Sequence, residues 1–159
     1  VLLTCDDGTV VDLRPVGWEN PEAPADDPVD ADWLLVRGDV QLPDGTAWSF
    51  TDPALLLDEA RALGRWLREA AAGRVRVEPT PGRPTDREQF LEPVLGTSLA
   101  HHVGGGVTVR VHLAHEASPP GHPDPSAGVT VTLRTTPAAL VAAADAWDAQ
   151  TDEVVAART

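Results

Sequence analysis

The sequence predicts an α+β fold, a mainly antiparallel sheet with two helices packed on one face. Three observations point there. Short alternating apolar segments are joined by tight-turn residues, above all Pro43-Asp44-Gly45-Thr46 and Gly104-Gly105-Gly106, and such hairpins pair their strands antiparallel. Two longer stretches carry apolar residues at helical spacing. The order is strands, helix, strands, helix, so the helices are expected to gather over the sheet and not to alternate with single strands. With 159 residues, 42% of them hydrophobic, residues 1–159 are expected to form one domain with an ample core.

The first strand follows a turn at Asp6-Asp7-Gly8, where Val11 and Leu13 alternate with Asp12 and Arg14. Asp32 to Leu42 puts Leu34, Val36, Val40 and Leu42 on one face. After the Pro43–Thr46 turn, Trp48 and Phe50 share a side of the next strand. Helix one is expected to begin at once, with Asp52 as N-cap and Pro53 at the first position, where a missing N–H costs nothing. Leu56, Leu63, Trp66, Leu67 and Ala70 form its apolar stripe, Asp58, Arg61, Arg65 and Glu69 its polar face, and Gly73 its stop. Val75 to Arg87, rich in Pro, Gly and Thr, reads as a loop, with a loop that carries a short strand as the alternative.

A second strand set follows. Leu95, Leu99 and Val103 mark one strand, Val107 to Leu113 alternate along another, and Val129, Val131 and Leu133 make the last. Ser118 to Pro125 holds too much Pro for a strand and reads as a surface loop. Helix two takes Thr136 as cap and Pro137 at its first position, and is expected to bury Leu140, Val141, Ala144, Trp147 and Val154. No internal repeat of fixed period is present.

Charge narrows the function. Lys is absent, so twelve Arg face 25 Asp and Glu, a formal net charge of −13. A surface that tracks nucleic acid must neutralise phosphates, and an anionic membrane demands the same, so neither partner is expected. A basic protein partner suits the field of this chain. One cysteine, Cys5, cannot form an internal disulfide, and no Cys cluster marks a zinc site. The opening Val-Leu-Leu-Thr-Cys is too short for the apolar region of a secretory signal, and the Ala138–Ala144 run is far too short to span a bilayer. A cytoplasmic protein is expected, with a removed segment ahead of Val1 left open, and so is the oligomeric state.

Motifs for catalysis and cofactors are sparse. Gly104–Gly106 lies between strands and lacks the helix N-terminus that would hold a phosphate, and there is no G-x-S-x-G elbow. No cofactor, no resident metal and no catalytic residue is expected. The strongest enzymatic lead is a group of histidines, His101, His102, His112, His115 and His122. His112 and His115 differ by three positions and would face opposite sides of a strand, whereas His101 and His115 could face each other across the hairpin and hold a metal. The alternative is hydrogen-bonded strand histidines. A second feature is one Arg in each of several strands, Arg14, Arg37, Arg110 and Arg134. They either form an anion-binding row or pair with Asp12, Asp39 and their neighbours.

The third feature is the segment from Glu19 to Asp32, with six acids, three prolines and no positive charge. Its Asp spacing fails as a calcium loop. As an interaction loop it offers Glu19, Glu22, Asp26, Asp27 and Asp30 to a basic partner; otherwise it is a solvated connector. Trp66 and Trp147 fit buried helix faces, while Trp18 and Trp33 flank the acidic segment, either as core residues or as exposed interface anchors.

Several stretches carry a family resemblance: Trp33–Gly38, Gly45–Pro53 leading into the Glu59–Leu67 helix, Phe90-Leu91-Glu92-Pro93, Val109–Leu113 and the Thr136–Trp147 helix start. In order and over nearly the whole chain, this series resembles the WapI-type immunity proteins. Val94-Leu95-Gly96 departs from the pattern after Glu92-Pro93, where an Asn and then an apolar or aromatic residue are expected. The resemblance implies a non-catalytic antitoxin that binds the toxic C-terminal domain, often a nuclease, of a contact-delivered toxin. It supplies no catalytic residue and no interface motif that transfers by position.

Overall fold

The computed structural model describes residues 1–23, 32–78 and 88–158. Two antiparallel sheets and two helices make up this part of the chain. The first sheet has the order β1 (Leu2–Thr4), β2 (Val10–Trp18), β3 (Trp33–Gln41), β4 (Ala47–Leu56). The second has the order β5 (Glu88–Gln89), β6 (Leu95–Val103), β7 (Gly106–Leu113), β8 (Val129–Thr135). The α+β class and antiparallel pairing are as expected, with the strands divided between two sheets. Helix α1 (Leu57–Ala71) follows the first sheet and α2 (Pro137–Ala157) the second.

Strand alternation decides which side of each sheet is apolar. Val11, Leu13, Leu34, Val36, Val40, Trp48 and Phe50 are buried on the inner side of the first sheet, and Leu95, Leu99, Val107, Val109, Val111, Val131 and Leu133 line the second. One apolar cluster unites both sheets with both helices. The Trp48 indole joins the sheets further, donating Nε1–H to the Ala117 carbonyl at 2.9 Å from the edge strand β4. The Val103–Gly106 hairpin turns through Gly104 and Gly105, both at positive φ, as a two-residue primed turn requires.

The start of α1 differs from the expectation. Asp52 is no N-cap: β4 runs on through it, Asp52 pairs with Val36, and Pro53 pairs with Leu35 beside a bulge that leaves Ala54 unmatched. Because β4 is an edge strand, Pro53 interrupts no ladder on its open side. The N-terminus of α1 is satisfied instead by Glu59, whose Oε2 accepts the Leu56 N–H at 2.9 Å. Gly73 stops the helix as anticipated. Its N–H bonds the Ala70 carbonyl and Arg74 N–H the Glu69 carbonyl, the paired bonds of a Schellman motif.

The helices pack antiparallel, as shown by three links. Arg61 pairs with Asp152 at 2.9 Å, and Arg68 with Asp148 and Asp145 at 2.7 Å each. Between them Gly64 lets α2 come close, since a Cβ there would meet Asp148 Oδ1 at 2.3 Å. Trp147, fully buried, donates its indole N–H to the Ala60 carbonyl at 2.7 Å. The buried stripe of α2 is Leu140, Ala143, Ala144, Trp147 and Thr151, which turns Val141 outward, 40% exposed, against the expectation that it is core. Thr136 caps α2 as expected, its Oγ1 accepting the Ala139 N–H. No helix among the described residues is long and apolar enough to cross a membrane.

Candidate functional site: an acidic pole

The histidines do not form a site. His101 pairs with Thr108 near the hairpin tip, whereas His115 lies beyond Leu113 at the other end of β7, in a 3-10 turn. Thr108 and Leu113 are five residues apart, about 17 Å of strand, so a facing His101–His115 pair is ruled out. His115 has left the strand at a φ of 51°, so strand parity with His112 does not apply to it. His112 is buried between hydroxyls, its Nε2 2.9 Å from Ser98 Oγ and its Nδ1 3.0 Å from Thr130 Oγ1. His102 bonds the Ala71 carbonyl and His122 that of Asp124. These three are hydrogen-bonded structural residues. Among the described residues no group of three or more His, Cys, Asp or Glu could hold a metal ion.

The strand arginines form no row either. Arg14 and Arg37 belong to the first sheet, Arg110 and Arg134 to the second. Asp39, outward-facing on β3, accepts from Arg37 at 2.9 and 3.1 Å, from Arg14 at 2.5 Å and from Ser49 Oγ at 2.6 Å. Arg14 also reaches Asp12 at 3.3 Å. These donors hold the Asp39 carboxyl well below the usual range, the Arg37 guanidinium foremost. Arg110 is buried and donates to the Glu78 carbonyl at 2.7 Å. The pairing alternative is therefore correct for the first sheet.

Of the acidic segment, Glu19 and Glu22 are exposed, while Asp26, Asp27 and Asp30 lie outside the described residues. Trp18 is no exposed anchor. It is buried, donates its indole N–H to the Val154 carbonyl at 3.1 Å, and lies under the Arg158 guanidinium at 4.5 Å from the ring centre. Trp33 is half-buried.

Tertiary structure assembles a larger acidic feature around Asp52. This half-buried carboxyl follows Trp48 and Phe50 on the inner side of β4, at the open edge of the first sheet. Burial raises its pKa first, and the negative charges of Glu116, Glu92 and Glu19 raise it further. The charges that act on Asp52 thus come from three other segments: the end of β2, the connection before β6 and the 3-10 turn after β7. Glu19, Glu92 and Glu116 are exposed, and none of the four carboxylates takes part in an ion pair among the described residues. Sequence reasoning missed Asp52, Glu92 and Glu116, because nothing in their spacing marks them as neighbours.

Surface carboxylates without an ion-pair partner attract positively charged surfaces. The model of the immunity protein WapI-like family matches residues 2–154. The chain belongs to this family. Membership implies a protein that confers immunity by binding a cognate toxin, as the resemblance at Trp33–Pro53 and Phe90–Pro93 implied. No curated protein and no solved structure matches the chain.

Proposed function

We propose that this WapI-like protein neutralises a basic toxin domain, a nuclease by preference, by direct binding through its acidic pole in the cytoplasm of the producing cell. The observation that supports the reading is that the negative charges of Glu116, Glu92 and Glu19 act together on Asp52, and that none of the four carboxylates takes part in an ion pair among the described residues, where Arg14, Arg37, Arg61, Arg68 and Arg74 pair with other carboxylates. A nuclease surface must be cationic near its substrate, and an acidic protein meets that surface as nucleic acid would. Glu22 is exposed just beyond β2, and Asp26, Asp27 and Asp30, outside the described residues, follow it in the sequence as further proposed contacts. No bond is made or broken in this mechanism.

Charge steers encounter more than it holds the complex. Complementary fields raise association from about 10⁵–10⁶ M⁻¹s⁻¹ toward 10⁸–10⁹ M⁻¹s⁻¹ at low salt. The test is stopped-flow association with the purified C-terminal domain of the toxin encoded in the adjacent reading frame. A 1:1 complex whose association slows steeply with salt is expected. Charge reversal at Asp26, Asp27 and Asp30 together should slow association without lowering the melting temperature. Association indifferent to salt overturns the steering; full affinity after the triple reversal removes those three aspartates from the interface.

A further inference from the structure

The outward side of the first sheet is ordered in rows across its strands. Register sets Asp12 opposite Asp39 and, two residues on, Arg14 opposite Arg37. Beyond the acidic row lie Val10 and Ala47, both opposite Gln41. Beyond the basic row lie Leu35, opposite Pro53, and Val16 at the β2 bulge. These residues alternate with the buried inner ones and are exposed or half-buried themselves, Val16 at 49%. The face therefore reads apolar, acidic, basic, apolar along the strands.

Two features of this order call for a partner. Like charges directly opposite one another disfavour strand pairing, and within the sheet they are offset along and diagonally across the strands, by Arg14 with Asp12 and Asp39 and by Arg37 with Asp39. Secondly, the two acids and two arginines cancel in a chain of net charge −13. Copies of so acidic a protein repel over most approaches, and this face is one over which they do not.

The row order is also self-complementary. A second copy turned by 180° about an axis that runs across the strands, between the charged rows, brings each acidic row over the other copy's basic row. The same rotation lays Val10 and Ala47 over Val16, Leu35 and Pro53 of the second copy. An axis along the strands would instead stack acid on acid. We propose that this chain forms a reversible two-fold dimer through the outward side of its first sheet, with Asp12 and Asp39 of each copy over Arg14 and Arg37 of the other. Such a contact is isologous and closes at two chains. Strands of nine or ten residues in β2, β3 and β4, with the short β1, present about 500 Å² on each copy, about 1,000 Å² in all, the lower bound for a specific interface. Charge pairs across it fix orientation more than they add affinity, because desolvation offsets their attraction. The proposal does not depend on the toxin, and Asp52 lies on the inner side of the same sheet.

The experiment is sedimentation of the whole chain without toxin, from about 1 µM to about 1 mM, in about 0.15 M salt so that distant carboxylates are screened. The mass should rise from one chain to two and stop there. Asp12→Arg and Arg14→Asp should each weaken self-association about tenfold or more, since each leaves β2 with charges of one sign. An equimolar mixture of these two variants should form a mixed dimer, because each supplies the charges the other now lacks. Val16→Glu breaks no internal pair and should also weaken the dimer about tenfold with an unchanged melting temperature at 1 µM, by placing a charge in the contact. Leu91→Glu, at an exposed position outside the first sheet, should leave the dimer intact. A single-chain mass over the whole range overturns the proposal, and so does growth beyond two chains. Dimerisation that survives Val16→Glu, or is lost in Leu91→Glu, places the contact elsewhere and overturns it equally. Failure of the two charge variants to pair overturns the two-fold arrangement.

Discussion

Asp39 and Asp52 lie on neighbouring paired strands of one sheet and experience opposite surroundings. Asp39 points outward from β3 and collects two guanidinium groups and a hydroxyl, which hold its carboxyl far below the usual range. Asp52 points inward at the edge of β4, partly out of water and among three further carboxylates, which push it the other way. The first charge is spent on internal structure. The second has no ion-pair partner among the described residues, and its charge costs the fold stability above its raised pKa. An acidic composition is thus not one property: some carboxylates hold the sheet through ion pairs, and others have no ion-pair partner among the described residues.

Four experiments sharpen or break this division, beginning with the largest expected effect. Charge reversal at the exposed Glu19, Glu92 and Glu116 together should slow toxin association about a hundredfold at low salt, with the difference shrinking as salt rises. Stopped-flow mixing across a salt series measures it, and an unchanged rate would show that the pole is not the docking face. Next, Glu59→Ala removes both the helix cap and the tie to Leu91 N–H. Chemical denaturation should show a loss of about 1–2 kcal/mol.

Asp39→Asn comes third. Its pairs are partly exposed, so the expected loss at neutral pH is about 1 kcal/mol or less, with no change in association rate. The sign with pH follows from the depressed folded pKa. Asp39 stabilises the fold above its unfolded value, near 3.9, and that contribution is lost as pH falls through the folded value. Denaturation curves between pH 5 and acid should therefore fall less steeply in the Asn variant. The smallest effect belongs to Asp52→Asn. A raised folded pKa makes this carboxylate a liability above that pKa, relieved as pH drops through it. The variant should be slightly more stable at neutral pH, by about 0.5 kcal/mol, while associating more slowly with the toxin. Stability and association moving in opposite directions is the signature of a charge kept for a partner.

Much of the architecture was legible in the residues. The Val11/Leu13, Leu34/Val36/Val40 and Val107–Leu113 alternations mapped onto β2, β3 and β7 because a period of two leaves only one side free to be apolar. Thr136-Pro137 and Gly73 marked helix ends because capping is local chemistry. Asp52-Pro53 misled for the same reason: its local signature is that of a helix start, but pairing of Val36 with Asp52 and Leu35 with Pro53 carried the strand past it. Val141 misled because the line of the buried stripe on α2 is set by where α1 and the first sheet stand. His101 and His115 looked like partners only while the strand was taken to run unbroken to His115.

What the sequence by itself determined is the class of fold, the family and the sign of the net charge, since periodicity, turn chemistry, ordered family motifs and composition are all properties of the chain read in line. What only the tertiary structure decided is which charges remain free and where they meet. Glu19, Glu92 and Glu116 lie far apart along the chain, yet the charge of each acts on Asp52 in the folded protein. Arg14 and Arg37 are withdrawn from use by that same folding. Coulomb interactions depend on distance through space, and distance through space is set by long-range contacts that no linear spacing encodes.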